Sequence, residues 1–505
     1  MSDTAAMKEL VDGNFAIAIV TPLMSRISCE LDECGEILFI DASANMDRYG
    51  CKVFMIYTNS CAGGIPVGTL ILTSESTLVI SEGLKLWKQL FISKSLAGRG
   101  TKGPKIFMSD DSAAERSALH SVFPESILLL CIFHILQATW RYLWDSNHGV
   151  PLYHRHILYS IVKEMIYSKN KEELASTFNK ALQQTLVKTY PTFITYLTNL
   201  YQRKEQWALC FRKGLITRGQ NTNNISEAGV KIVKDVILER TKAYSPVQLF
   251  FFIVNDLDAF YEMKLLDVAA NRPAQYLKNK FIITNNQKNN LEYKIIDNNT
   301  LLYEVRNKKK NTQYNVDLDL GMCSCPQGDT GYPCKHQLYV AQDLNLNLSV
   351  CLPTTEEFRK KLHTIASGSS DIENGWYGSV NDNDCQIKVD LVPLNTENTV
   401  DNKIKNLPII TTHNEIEVTE LLESANNNFD KTYDSFNEVI EKMKQSILSD
   451  KTYFLPSMNA FVNSYNKGQI TSSVLPKVKR KSKAPHSLAY CVETNKALGG
   501  THSSK

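Results

Sequence analysis

The chain has 505 residues, of which 43% are hydrophobic and 22% are charged, and its formal net charge at pH 7 is +3. This composition is typical of a globular protein, and at roughly 100–200 residues per domain the length predicts two or three domains. No apolar run approaches the roughly 20 residues that cross a bilayer. The first residues carry acidic side chains where a secretory signal has its apolar core, so we expect an intracellular protein with no membrane partner.

The first half of the chain predicts an α/β core. Short apolar runs predict strands and helical spacing predicts helices: strands at residues 15–24, 36–41, 51–58, 66–73, 105–109 and 127–133, and helices at residues 78–95 and 112–121. Counted from residue 36, the order is βββαβαβ, which is the arrangement of a ribonuclease-H-like core. The first and fourth of these strands end in the carboxylates Asp41 and Asp110, at the edge where open α/β sheets place their sites.

A helical insertion interrupts this core at about residues 135–220, and two further helices complete a core domain over residues 15–270. Residues 137–220 contain 12 Lys and Arg against 5 Asp and Glu. The basic side chains are candidates for contacts with nucleic-acid phosphates, which need positive charge and no sequence readout. The tryptophans of the insertion are expected in its helical core and not as base-stacking groups: Trp140, Trp144 and Trp207.

One tight cluster of cysteines predicts a zinc site. After a linker at residues 271–290, three short strands lead into Cys323-x-Cys325, eight further residues and Cys334-x-His336. Three thiolates and an imidazole form the ligand set of a closed tetrahedral structural Zn²⁺. The alternative is four unligated residues in a polar turn. We expect a small ββα-type zinc finger at residues 291–346, and the scattering of the other cysteines indicates a reducing compartment.

The C-terminal region differs in composition from the rest. Residues 367–505 are rich in Asn, Asp, Ser and Thr, with one helical pattern near residues 436–448, and predict a largely disordered tail of low complexity. A basic run at residues 477–483, KVKRKSK, is typical of a nuclear-import signal or a nucleic-acid-binding tail, and also of a solvated run with neither role. We expect a nuclear protein, with the cytoplasm as the alternative.

The strand-end carboxylates suit cleavage of nucleic acid by two metal ions. That chemistry needs several carboxylates that converge on cations about 3.5–4 Å apart. Asp41 and Asp110 should lie on adjacent strands, and Glu227, in the first turn of a predicted helix after the insertion, could complete the set. The alternative is two ordinary strand-end aspartates and a glutamate favoured by the helix dipole. Asp111 is a rival to Asp110, while Glu75 precedes the first long helix and is expected to cap it.

Successive blocks of the sequence resemble the Mutator-like (MULE) transposase domain, and the cysteine cluster resembles the SWIM zinc finger. The blocks cover about residues 16–265 and follow the order of that family: Asp41-Ala-Ser to Gly50, Thr73-Ser-Glu-Ser, Phe107-Met-Ser-Asp110 with Ala114 and Ala118, Phe123-Pro124, Cys131-x-x-His134, and Asn223-Asn-Ile-Ser-Glu227. The SWIM finger is the usual companion of this domain. The order of the blocks together with the finger is more specific than any single block.

This resemblance implies a DDE transposase core in which Asp41, Asp110 and Glu227 hold Mg²⁺ or Mn²⁺. Water and then a DNA 3′-hydroxyl would be the nucleophiles. The offsets to the two family alanines favour Asp110 over Asp111. Cys131 and His134 match the family's Cys-x-x-His pair, for which DNA contact, catalytic support, or a buried thiol with an orienting histidine all remain open.

The family implies DNA as a partner, and DNA or proteins as partners of the finger; a homo-oligomer is compatible with this interpretation. Relatives usually carry an N-terminal DNA-binding module, whereas this chain begins almost at the core, as expected of a shortened gene product or a domesticated relative. The leading hypothesis is therefore a zinc-binding, transposase-derived DNA-binding protein able to cut and join DNA. The alternatives are a non-catalytic regulator of transcription or chromatin and a protein-interaction scaffold that uses the finger.

Overall fold

A seven-stranded mixed sheet forms the centre of the fold. The computed structural model describes residues 4–44, 46–273, 275–297, 300–371 and 376–377, all within the first of two units of the chain, Met1–Asp390. The strands are β1 (Ala5–Glu9), β2 (Phe15–Ile19), β3 (Ile37–Ser43), β4 (Lys52–Ser60), β5 (Gly63–Leu72), β6 (Ile106–Ser109) and β7 (Ile127–Leu130). They lie in the order β1-β2-β5-β4-β3-β6-β7; β3, β6 and β7 are parallel, and the remaining pairs are antiparallel.

Helices cover both faces of this sheet. Helices α1 (Pro22–Glu30) and α2 (Glu33–Glu36) precede β3, α3 (Thr77–Gln89) follows β5, and α4 (Ala113–Val122) connects β6 to β7. The order from β3 to β7 is therefore βββαβαβ, as the sequence predicts. Helix α3 lies close to the sheet because Trp87 packs over Gly68, where an added Cβ would be 2.2 Å from the indole nitrogen.

Two of the predicted strands are shorter in the structure than the sequence predicts. The run at residues 15–24 leaves the sheet at Ile19, because Pro22 starts α1 and Thr21 caps it by accepting a hydrogen bond from the Met24 amide at 3.1 Å. The run at residues 127–133 ends as a strand at Leu130, and a helix begins at Ile132. A short apolar run alone does not distinguish a buried strand from the buried start of a helix.

The insertion is wholly helical and has its own hydrophobic core. Its helices are α5 (Ile132–Trp144), α6 (Leu152–Ile166), α7 (Lys171–Gln183), α8 (Thr185–Lys188), α9 (Pro191–Gln202) and α10 (Lys204–Trp207). Trp207 is fully buried, as predicted. The prediction is wrong for Trp140, which is 48% exposed and stacks on Trp144, because the side of α5 that faces the core is centred on Ile135 and Thr139 and leaves Trp140 at its edge.

The chain then returns to the sheet through two long helical segments. Helix α11 (Asn224–Ile232) continues as a π-helical turn, Val233–Ile237, and α12 (Pro246–Phe251) continues through the π-helical Phe252–Leu257 into α13 (Asp258–Ala269). Helix α11 packs closely on the sheet because Gly229 lies against the Tyr57 ring, 2.1 Å from where a Cβ would stand. Any side chain there would push α11 away from β4.

A second, antiparallel sheet forms the zinc-finger module. Its elements are α14 (Gln275–Lys278), α15 (Asn285–Asn289), β8 (Leu291–Asp297), β9 (Leu302–Asn307), β10 (Thr312–Asp317), β11 (Met322–Cys323) and α16 (Lys335–Asp343), with strand order β11-β10-β9-β8. The predicted linker at residues 271–290 contains two of these helices, and Ile283 packs into the core of the module. Polar residues dominate this segment, so the sequence does not indicate that Ile283 is buried in the core of the module.

The last helix that the structure describes returns from the finger to the core domain. Helix α17 (Glu356–Ser367) packs on α13 and α1. The Arg26 guanidinium donates to the Ile365 and Ala366 carbonyls at 2.6 and 2.8 Å, so two C-terminal carbonyls of α17 are satisfied from α1. Except for residues 367–371 and 376–377, the predicted tail at residues 367–505, including the basic run at 477–483, lies outside the described residues. Among the helices that the structure describes, none is both long and apolar enough to cross a membrane.

Asp258 gives the fold a pH-dependent contribution. The residue is 8% exposed, its carboxylate accepts a hydrogen bond from the Thr21 hydroxyl at 2.6 Å, and burial raises the pKa of this carboxyl to about 6. Because the folded pKa lies above the unfolded value of about 3.9, the folded state binds this proton more tightly and loses stability as the pH rises through this window. We expect the free energy of unfolding of the wild type, relative to Asp258→Asn, to fall by about 2 kcal/mol between pH 4 and pH 7. Urea unfolding of both proteins at several pH values would measure it, and a pH-independent difference would contradict it.

Candidate metal centres

Two aspartates of the large sheet lie level with each other on neighbouring parallel strands. Strand β3 pairs with β6 so that Phe39 is opposite Met108, which places Asp41 level with Asp110, the residue directly after β6. Both therefore lie at the carboxyl edge of the parallel part of the sheet. The structure thus brings the two predicted strand-end carboxylates together.

Helix α11 brings Glu227 to the same edge, and Asn223 fixes its start. Asn223 is fully buried; its side-chain amide donates to the Ile40 carbonyl at 2.9 Å and lies 3.5 Å from Asp110 Oδ1. One turn later Glu227 presents Oε1, which is buried and has no hydrogen-bond partner within the described part of the chain. A buried carboxylate oxygen without a partner is costly unless a cation satisfies it.

His134, in the first turn of α5, bridges two of the acids. Its Nδ1 lies 2.7 Å from Asp110 Oδ1, and its Nε2 lies 3.7 Å from Glu227 Oε1. Nδ1 is not aligned for a regular hydrogen bond, so the contact with Asp110 is chiefly electrostatic. The pKa of His134 is raised to about 10, first by Asp110 and next by the Cys131 thiol. Cys131 is buried and accepts a hydrogen bond from the backbone amide of Asn223 at 3.2 Å. The Cys-x-x-His pair therefore lies beside the acid cluster formed by Asp41, Asp110 and Glu227.

The carboxylates of the cluster outnumber the cation that contacts them, His134. The pKa of Asp41 is raised to about 7, first by burial and then by the charges of Asp110 and Glu227, while the charge of His134 opposes the shift. Asp41, Asp110 and Glu227 offer oxygen ligands, which are the ligands that Mg²⁺ and Mn²⁺ take in proteins. The partnerless oxygen of Glu227 and the mutual repulsion of the acids fit a divalent cation at this position.

The rival acids make other contacts. Asp111 forms a two-point ion pair with Arg203 of the insertion at 2.6 and 2.8 Å. Glu75 lies 3.3 Å from Lys52, and the predicted cap is wrong, because Ser76 caps α3 by accepting from the Val79 amide. Asp110 is therefore the member of the Asp pair that lies with the other two acids.

Sequence reasoning did not find a fourth acid. Glu115, in the first turn of α4, is 2% exposed, and its Oε1 has no hydrogen-bond partner in the described residues. Burial, followed by the charges of Asp110 and Asp41, raises its pKa well above its usual range. The sequence does not reveal this burial, because a glutamate three residues after an N-cap such as Ser112 is common at the start of any helix.

The predicted zinc ligands form a second, separate centre. Cys323 lies in β11, Cys325 in the following turn, and Cys334 and His336 at the start of α16. All four are buried, and their ligand atoms lie within 4.8 Å of one another, with His336 Nδ1 3.7 Å from the Sγ atoms of Cys323 and Cys334. This donor set fits a tetrahedral structural Zn²⁺.

The loop between the zinc ligands packs on the core through Arg218. The buried guanidinium pairs with both carboxylate oxygens of Glu36, with an Nε–Oε2 distance of 2.7 Å, and donates to the Gly321 and Gly331 carbonyls at 3.2 and 3.4 Å. The Arg218 amide donates to the Thr330 carbonyl at 2.8 Å. Glu36 directly precedes β3, so this contact links the zinc loop to the strand that carries Asp41.

We expect Arg218→Met to destabilise the protein by about 3–5 kcal/mol, because Glu36 would keep a buried charge without its partner. Chemical denaturation would measure the loss. The double variant Arg218→Met/Glu36→Gln removes that uncompensated charge and should recover part of the stability. A single variant within about 1 kcal/mol of wild type would show that this ion pair does not hold the two modules together.

Comparison with known families agrees with this geometry. The family model of the MULE transposase domain matches residues 40–138, which include Asp41, Asp110, Cys131 and His134. The family model of the SWIM zinc finger matches residues 314–345, which include all four zinc ligands. A comparison with curated proteins gives no match. The MULE match ends before Glu227, and the two matches follow the order inferred from the sequence. The chain therefore contains a MULE transposase domain followed by a SWIM zinc finger.

Proposed function

We propose that this protein is a transposase-derived DNA-binding protein whose acid cluster cuts and joins DNA with two divalent metal ions. The observation that carries the proposal is the convergence of Asp41, Asp110 and the partnerless oxygen of Glu227 at one sheet edge. The three acids come from separate elements, 186 positions apart from first to last, and His134 alone does not balance their charges. The SWIM finger would supply a further DNA or protein contact, and we propose the nucleus as the site of action.

The sheet supports a ribonuclease-H-like core. From β5 to β7 the strand order is β5-β4-β3-β6-β7, in which the first three strands form an antiparallel meander and the last two run parallel to β3. In this arrangement β3 is central, and its acid faces the acid at the end of the neighbouring parallel strand. The helical insertion then enters after β7 and leaves before α11, so that it flanks the site.

The acid cluster suits phosphoryl transfer. Asp41, Asp110 and Glu227 would hold two divalent cations, which when bound neutralise the scissile phosphate and activate the attacking oxygen. His134 would hold Asp110 and Glu227 in position. In the first step a water oxygen attacks phosphorus, the bond to the 3′ oxygen breaks, and a 3′-hydroxyl and a 5′-phosphate remain. In the second step that hydroxyl attacks a phosphodiester of a second DNA, so that one P–O bond forms as another breaks.

Nicking of supercoiled plasmid by the full chain tests the proposal. We expect nicking in Mn²⁺ or Mg²⁺, its loss in EDTA, and its recovery when Mn²⁺ is restored in excess. Binding of fluorescent DNA in Ca²⁺ is measured in parallel. DNA binding with no nicking in any divalent metal would favour the non-catalytic regulator, and absence of both would reject the proposal.

A further inference from the structure

A basic cavity lies directly beside the acid cluster. It has a volume of about 470 Å³, within the range of about 300–1,000 Å³ that is common for ligand pockets. Glu227 forms one wall, and the other walls come from the rest of α11, the π-helical turn and the loop that follows. The lining residues are Glu227, Val230, Lys231, Lys234, Asp235, Leu238, Arg240, Thr241 and Lys242.

The cations of this cavity exceed its acids and are mostly unpaired. Among the described residues, Arg240 is the lining cation that forms an ion pair, with Asp235 at 3.0 Å. Lys231, Lys234 and Lys242 form no ion pair with any residue that the structure describes. Three unpaired ammonium groups around one concavity make a site for an anion, because their charges add where low-dielectric walls focus the field.

The local backbone places these lysines on the cavity wall. Between Val233 and Ile237 the helix widens into a π-helical turn, a rare conformation that occurs frequently at functional sites. Glu239 and Arg240 then both take left-handed conformations, with φ of 45° and 59°, and the Arg240 amide donates back to the Lys234 carbonyl at 2.7 Å. This turn folds the loop over the end of α11, so that Lys242 and Lys234 line the same space.

The cavity is continuous with the metal centre through Glu227. Lys234 is half-buried, and the Asp41 charge acts on its pKa, which burial lowers. Bare carboxylates repel a phosphate, so a strand that enters the acid cluster needs cations on its path. Among the described residues, no aromatic side chain lines the cavity, which favours contacts with the sugar–phosphate backbone over stacking on bases.

We infer that the cavity lined by Lys231, Lys234 and Lys242 binds the phosphate backbone of the DNA strand that continues from the scissile phosphate. This inference rests on the proposed function and adds to it the surface that binds the strand next to the metal centre. Phosphate contacts carry no base information, so the cavity should bind strands of any sequence.

The test compares two triple variants that remove the same charge. The cavity variant is Lys231→Met/Lys234→Met/Lys242→Met. The control, Lys94→Met/Lys102→Met/Lys105→Met, removes exposed lysines between α3 and β6, a segment that leads into the opposite, amino-terminal end of β6. Binding of fluorescent duplex DNA is measured in Ca²⁺ at several salt concentrations. We expect the cavity variant to bind at least about tenfold more weakly at 0.1 M salt. The plot of log affinity against log salt should also become less steep, with the magnitude of its slope smaller by about 0.9 for each phosphate that the protein no longer neutralises. The control should match the wild type.

A second measurement uses the wild type alone and so does not depend on folding of the variants. Lysine acetylation is quantified by mass spectrometry in buffer, in inorganic phosphate, and with DNA at the same ionic strength. Protection of Lys231, Lys234 and Lys242 by DNA beyond that given by inorganic phosphate supports the inference. Equal protection by inorganic phosphate would identify a simple anion site and overturn it, as would equal affinities of the two triple variants. If the wild type binds no DNA at all, the proposed function itself fails.

Discussion

Asp110→Asn is expected to lower metal-dependent nicking of supercoiled DNA by about a hundredfold to a thousandfold, the scale on which loss of one charge-stabilising group acts. Asparagine keeps the shape of the side chain and removes the negative charge that would hold a cation between β3 and β6. It also removes the charge that faces His134 at 2.7 Å. Initial rates with Mn²⁺, at equal protein and plasmid concentration, measure the effect. The fold should be unchanged, because the side chain is partly exposed and its volume is conserved.

Asp111→Asn is the matched control, since it makes the same change one residue away. Asp111 pairs with Arg203 outside the acid cluster, so its variant should keep most of the activity. Loss of activity in Asp111→Asn alone would exchange the roles of the two residues. Equal activity in wild type and both variants would indicate a contaminating nuclease. DNA binding should survive Asp110→Asn, because the proposed phosphate contacts come from lysine and arginine side chains.

The two aspartates of the acid cluster could be predicted, because the sequence directly around each of them determines its place at the end of a strand. Asp41 and Asp110 each follow an apolar run, and the order of those runs implies that their strands are neighbours. Glu227 required the family resemblance as well, since an acid in the first turn of a helix is common for electrostatic reasons alone. The zinc ligands were the clearest case, because their chemistry and spacing both lie within residues 323–336.

The parts that depend on contacts between distant segments could not be predicted. Arg218 and Glu36 are 182 residues apart, and nothing near either one indicates a buried ion pair. Glu115 has the sequence of an ordinary helix start, and only the packed structure shows that its carboxylate is buried beside the acid cluster. The exposure of Trp140 depends in the same way on which face of α5 the insertion core covers. Periodicity identifies an apolar face, whereas tertiary packing decides which large side chains remain outside it.

Cys325→Ser is expected to lower the zinc content of the purified full chain from about one equivalent to near zero, and to unfold the finger. Structural zinc contributes about 10–16 kcal/mol in small zinc domains, and loss of one thiolate removes most of it. The finger has little else to replace it, because three of the nine buried apolar residues that the structure describes in its core are the ligand cysteines themselves. Metal analysis gives the stoichiometry, and hydrogen exchange over β8 to α16 reports the unfolding.

Cys351→Ser is the control for the zinc experiment, because Cys351 is also buried near the finger but lies outside the ligand set. It should retain zinc and protection. Unchanged zinc in Cys325→Ser would reject the assigned site. If zinc is lost as expected, exchange should rise also around Arg218, because the Gly321, Thr330 and Gly331 carbonyls that this residue contacts belong to the zinc loop and its edges. Increased exchange confined to the finger would show instead that the core holds the Arg218–Glu36 pair without help from the metal.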